Sequence, residues 1–311
     1  MIALLVSCAN LPQSQSIANL APKNFPIKKE LTEVSFFPQE EYQCGPAALA
    51  MLFNSSGVDI KPESLIDEVY IPAKKGSLQI EMLSTTRRHH LIAYELTPHL
   101  MDLLTEIAAG HPVLVLENYG FDSSPIWHYS VVVGYDLERN QIIKRSGLNK
   151  REVQSMSAFE YLWKGSKYWA MLSLPLTEIP VTATETSFVD AVLKLEKSGQ
   201  IKSAHKAYET LLSRWPQNLI AQIGLGNTAY QLHDLKTAKQ AFYNASLDHP
   251  KSAEAFNNLA NVLFELGEVK EAKKAAENAV SIGGPFLEES LATLKEIQEK
   301  TKSNKKNRLK N

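Results

Sequence analysis

The last third of the chain repeats itself every 34 residues, and that period limits what it can fold into. Small or aromatic residues recur in register: Ala204, Ala238 and Ala272; Tyr208, Phe242 and Ala276; Leu211, Ala245 and Ala279. Pro216 and Pro250 follow, with Gly284-Pro285 one step late. An earlier apolar set precedes each one: Phe188, Ala191 and Leu195; Leu225, Gly226 and Ala229; Phe256, Leu259, Ala260 and Leu263. Gly199, His233-Asp234 and Gly267 fall between the paired sets, where a turn is needed. Helical spacing inside such a period predicts stacked pairs of antiparallel helices, each burying one face on its neighbour, with proline ending the second helix. Phe286 to Lys300 reads as a further amphipathic helix that caps the stack.

This pattern resembles the tetratricopeptide repeat. The resemblance implies an all-α solenoid over residues 185–300 whose concave face holds a peptide or partner protein; a spacer or a dimerisation platform is the alternative use. Three such units leave more than half of a 311-residue, 44% hydrophobic chain to form another core. That unit is expected at residues 30–178, joined through a linker at 179–184. A lipoprotein-like signal followed by a flexible tether is expected over 1–29, and a solvated, disordered basic tail over 301–311.

The chemistry lies in the first unit. Gln39 is followed by Cys44-Gly45-Pro46-Ala47-Ala48-Leu49-Ala50, and strong helix formers continue to Phe53 before Asn54-Ser55-Ser56-Gly57. Proline is tolerated in a first turn, so the pattern predicts a helix that starts at Cys44. A thiol there faces unpaired N–H groups and the positive end of the helix dipole, which should lower its pKa. Gly45 lets a substrate backbone approach, the Cys44 amide can face an oxyanion, and Gln39 can add a side-chain donor, with Gln43 as the alternative. The base is expected at His128, at the mouth of the β-branched strand His128-Tyr129-Ser130-Val131-Val132-Val133. His89, His90, His99 and His111 stand in polar contexts that suggest the solvated surface. Ser77 is expected to cap a second helix. Glu117-Asn118-Tyr119-Gly120, ending the strand before His128, is a candidate for substrate binding.

Gln-x-x-x-x-Cys-Gly-Pro-Ala-Ala-Leu-Ala, with a later His-Tyr-x-Val-Val-x-Gly-Tyr, resembles the bacteriocin-processing, double-glycine type of cysteine peptidase. The resemblance implies a papain-like α+β fold. It places the helix of Cys44 on an antiparallel sheet with strands near Val113–Glu117, Tyr129–Tyr135, Gln141–Arg145 and Tyr168–Leu174. By residue match it implies Cys44 as nucleophile, His128 as base and Gln39 in the oxyanion hole. One member departs. Relatives place an Asp after the histidine strand to orient the imidazole, whereas this chain has Ser146 there, with Asn149 just beyond and Asp136 at the previous strand end. Ser146 can accept a hydrogen bond but cannot stabilise imidazolium by charge, so either a Cys–His dyad suffices or turnover is weak or lost.

A net charge of −1 and a pI near 6.7 give no global reason to bind nucleic acid. Neither a phosphate loop nor a metal-ligand spacing is legible, so no cofactor is expected. The opening Leu5-Val6-Ser7-Cys8 resembles a bacterial lipobox, which implies lipidation at Cys8, a start upstream of Met1, and a periplasm-facing protein anchored to the cell envelope; a cytoplasmic protein with a chance apolar start is the alternative. The expectation is therefore a membrane-anchored cysteine peptidase that cleaves peptides, with repeats that recruit substrate or partner. The alternatives are a peptidase-like scaffold that binds polypeptide without cleaving it, and an amidase or transglutaminase-like acyl transfer.

Overall fold

The computed structural model describes residues 12–39 and 43–308, side chains excepted at 18, 19 and 303–308. Cys8 lies outside them. The chain divides into two compact units, Met1–Ala191 and Val192–Asn311.

The first unit begins with α1 (Pro12–Leu20) and β1 (Lys28–Glu30), followed by α2 (Cys44–Ser55), α3 (Ile66–Val69), β2 (Tyr70–Ile71), β3 (Gly76–Ser77), α4 (Gln79–Arg88) and β4 (Ile92–Glu95). It continues through α5 (Leu100–Ala109), β5 (Val113–Asn118), β6 (Trp127–Asp136), β7 (Gln141–Ser146), β8 (Asn149–Ser155), α6 (Met156–Lys164) and β9 (Ala170–Leu174). Seven strands form one antiparallel sheet in the order β4-β9-β5-β6-β7-β8, with β1 also paired to β6. Side chains alternate across it. Leu114, Leu116, Tyr129, Val131, Val133, Ile143 and Met171 face α2, whose residues from Gly45 to Phe53 are all buried. The opposite face lies against α5 and α6. The expected α+β domain is present, with β1, β4 and β8 added to the strands read from sequence.

The tether expectation fails over α1. Proline at its first position suits a helix start, and the buried carboxylate of Glu160 on α6 accepts the backbone N–H of Ser14 at 2.7 Å and of Gln13 at 3.2 Å. Those N–H groups are the ones a helix start leaves unpaired. Ile17 is buried beneath them.

From α7 (Glu185–Lys197) the chain is helical: α8 (Ile201–Arg214), α9 (Leu219–Gln231), α10 (Leu235–Asp248), α11 (Ala253–Glu265), α12 (Val269–Ile282) and α13 (Leu287–Arg308). The 34-residue period reappears as geometry. Ala204, Ala238 and Ala272 are fully buried, and Gly199, His233 and Gly267 all take positive φ, at 81°, 61° and 80°. α13 continues to Arg308, through most of the basic segment expected to be disordered. None of the described helices is long and apolar enough to cross a membrane.

Candidate active site

Cys44 is the first residue of α2, half-buried at the edge of the apolar layer. Gly45 is required beside it, because a Cβ there would stand 2.2 Å from Ser77 Oγ. Ser77 does not cap α4, whose N-cap is Leu78 with no side-chain bond. Its carbonyl instead accepts the Tyr129 hydroxyl at 3.2 Å, tying the start of α4 to β6.

Backbone N–H groups of Tyr129, Gly45 and Cys44 itself point at the sulfur. Each of them pulls the thiol down, as a helix start should, but the net shift runs the other way. Burial outweighs them and pushes Cys44 above its ordinary value. The sulfur therefore rests as a thiol and needs a base to become a nucleophile.

His128 is the second residue of β6, half-buried, and the residue after it, Tyr129, supplies the N–H aimed at Cys44. Thiol and imidazole are thus joined through one backbone step. Nε2 lies 3.0 Å from Ser146 Oγ, at the position read from the sequence as a substitute for the orienting acid. With Ser146 accepting the Nε2 proton, Nδ1 carries the lone pair a base needs. Among the described residues Nδ1 has no hydrogen-bond partner. Burial, reinforced by the Lys144 cation, pulls His128 down to about 4. Asp136 is not an orienting residue: it sits at the far end of β6, where its carboxylate accepts the backbone N–H of Arg139. Asn149, opposite Ser146 in the β7–β8 hairpin, is exposed, and Gln43 precedes α2 without capping it.

Gln39 does reach the site, but its amide is engaged. Nε2 donates to Tyr129 O at 3.1 Å and makes a long 3.5 Å contact to Cys44 O, while Oε1 accepts the Gly147 N–H at 2.7 Å. It bridges β6 and β7 where their own pairing has ended.

The feature absent from the sequence reading is the buried network next to His128. Lys144 and Glu117 are both fully buried, and the ammonium lies 2.7 and 2.9 Å from the two carboxylate oxygens. Tyr119 OH at 2.9 Å and Glu152 at 3.5 Å complete the shell of Lys144, and Ser130 Oγ donates to Glu117. Burial opposes the Lys144 charge, yet Glu117 and Tyr119 outweigh it and keep the ammonium protonated. Glu117 is thereby a fully buried ion-pair partner rather than the exposed binding residue suggested by its place at the strand end. The available signal was Lys144 two residues after Ile142, at the strand spacing that puts both on one face. His111 also departs from the surface reading, since its Nδ1 lies 2.6 Å from the fully buried Glu106.

Residues 31–171 match the Peptidase_C39-like family, and residues 189–248 and 224–285 match the tetratricopeptide repeat. A C39-like peptidase from Bacillus anthracis is similar over 47% of this chain and 97% of its own, at 18% identity and a TM-score of 0.40. The type III secretion chaperone SycD of Yersinia enterocolitica, solved with a peptide of the translocator YopD, is similar over 39% of this chain and 98% of its own, at 19% identity and a TM-score of 0.36. No curated protein matches the chain.

Proposed function

Because the chain carries a Peptidase_C39-like domain at residues 31–171 followed by tetratricopeptide repeats, we propose that it is a cysteine peptidase whose repeats bind a peptide or protein partner. The observation that carries the reading is the thiol at the start of α2, a helix packed on β6, whose second residue His128 is held through Nε2 by Ser146 at 3.0 Å. As Cys44 Sγ attacks the scissile carbonyl, its proton passes to His128 Nδ1. The carbonyl oxygen becomes an oxyanion facing the Cys44 amide and Gln39. The long Gln39 contact to Cys44 O leaves one Nε2 hydrogen weakly held and able to turn to that oxygen. The imidazolium then returns its proton to the departing amine, and a water deprotonated by the same ring cleaves the thioester. On the repeats, a groove of ≈ 730 Å³ lined by Asn227, Tyr230, Asn258, Asn261, Phe264 and Glu265 offers amide and aromatic contacts to an extended polypeptide.

The test is incubation of the full-length chain with a peptide library and a count of newly formed termini by mass spectrometry. Wild type should generate termini that Cys44→Ala does not; equal counts end the peptidase reading. A second reading, polypeptide binding without turnover, is favoured by the raised thiol, the engaged Gln39 amide and the serine in place of an acid. Peptides retained equally by wild type, Cys44→Ala and His128→Ala, with no new termini, would select it. We also propose membrane attachment through an acylated Cys8, tested by metabolic labelling with a palmitate analogue in wild type and Cys8→Ala.

A further inference from the structure

The groups that surround His128 differ in charge from those a thiol–imidazole pair usually recruits. From β7, Ser146 meets Nε2 and Lys144 lies on the same face two residues earlier. Glu117 on β5 stands directly opposite His128 in the sheet register, and Ser130 on β6 donates to its carboxylate. Tyr119, just past β5, presents its ring edge-on to the imidazole, with centroids 5.6 Å apart and planes at 86°, while its hydroxyl binds Lys144 at 2.9 Å. Glu152 on β8 reaches Lys144 at 3.5 Å and partly offsets the effect of that cation on His128. A buried ion pair of this kind costs desolvation and is weak grounds for stability by itself. Its placement is better explained by what it does to the ring.

We propose that the buried Lys144–Glu117 pair, acting through Tyr119, is the positioning device for His128: it fixes the plane of the imidazole and sets a cation, not a carboxylate, behind it. The inference rests on the peptidase reading for its purpose and on geometry alone for its existence. A cation near the ring disfavours imidazolium, and Ser146 accepts a proton without adding compensating charge. The ring then takes the thiol proton only while the sulfur is attacking, and gives it up readily to the leaving amine. The resting pair is neutral thiol and neutral imidazole. Tyr119 links the two effects, because one side chain both packs on the ring and binds the ammonium.

The experiment follows the titration of His128 by NMR in full-length protein carrying labelled histidine, its signal assigned by loss in His128→Gln. Wild type should titrate well below the ordinary histidine value of about 6.5. A wild-type midpoint at or above that value overturns the proposal with no variant needed. Lys144→Met alone strands the Glu117 carboxylate, so the informative change is Lys144→Met with Glu117→Gln, which removes both charges at nearly constant volume. That double variant should raise the midpoint by about one unit, the scale of one nearby charge, and move the acid limb of Cys44 alkylation by iodoacetamide equally. A purely structural role for the pair would leave both midpoints in place. The readout is independent of turnover: a shifted midpoint in a protein that cleaves nothing keeps this inference and removes the peptidase reading, and cleavage with an unmoved midpoint does the reverse.

Discussion

On the α2 side of the sheet, Leu114, Leu116, Tyr129, Val131 and Val133 meet a helix that is apolar from Pro46 to Phe53, and the nucleophile stands where that helix begins. On the other side, Glu117, Ser130, Lys144 and Ser146 occupy the alternate positions of the same strands and gather around the base. Thiol and imidazole thus come from a helix and from the sheet it packs on, and are controlled by opposite means. The environment of Cys44 comes from its own helix start, from the Tyr129 N–H and from burial under the layer packed on α2. That of His128 is assembled from four strands, and no short segment contains it.

The sharpest way to break this division is at the reacting groups. Cys44→Ala should abolish any cleavage and, in a Cys8→Ala background, all alkylation of the folded chain, while His128→Ala should slow cleavage by about 10²–10⁴-fold, the ordinary contribution of a general base. An alkylation rate unchanged in His128→Ala would show that the ring does not serve the sulfur.

Next comes the buried pair. Lys144→Met should destabilise the first unit by about 3–5 kcal/mol by leaving the Glu117 carboxylate buried and unpaired, whereas adding Glu117→Gln should recover most of that loss. Denaturant midpoints of the two variants decide it, and equal midpoints would mean that the charges are not coupled.

Acid should act chiefly through the same face. Above pH about 6.5 both folded and unfolded chains hold neutral His128. Below it the unfolded chain gains a proton that the folded chain declines until about pH 4. Stability is therefore lost as pH falls through that window, by roughly 3 kcal/mol at its foot. Urea melts at pH 7 and pH 4.5 should show a smaller drop in His128→Gln than in wild type; identical drops would contradict the burial of a neutral ring.

The smallest effect lies in the repeats, which serve as a control region without this chemistry. His233 holds the left-handed turn conformation that Gly199 and Gly267 hold at the matching places. His233→Gly should stabilise the second unit by about 1 kcal/mol, since glycine adopts that conformation without the steric cost. A lower melting temperature would show that the imidazole contributes more than its backbone strain costs.

These contrasts also explain what could be read from the chain. The repeats were legible because each helix pair restates one local rule, with Ala204, Ala238 and Ala272 buried at the same step. Cys44 was legible because proline, alanines and a glycine stop write a helix start within a dozen residues. The thiol pKa was misread, because dipole and N–H donors are local while desolvation depends on the whole layer packed against α2. Lys144 and Glu117 stayed hidden because 27 residues separate them and only strand register brings them together. The N-terminal segment was misread for a similar reason: its helix partner, Glu160, lies 146 residues from Ser14.

That docking sets a leash length. Only Ala9 to Leu11 lie between Cys8 and Pro12, where α1 begins and is seized by Glu160. An acyl group on Cys8 would have about 14 Å of extended chain before meeting a fixed helix, less than half the thickness of a bilayer's hydrocarbon core, about 30 Å. Were Cys8 acylated as proposed above, the first unit could stand no farther than that reach from the lipid surface.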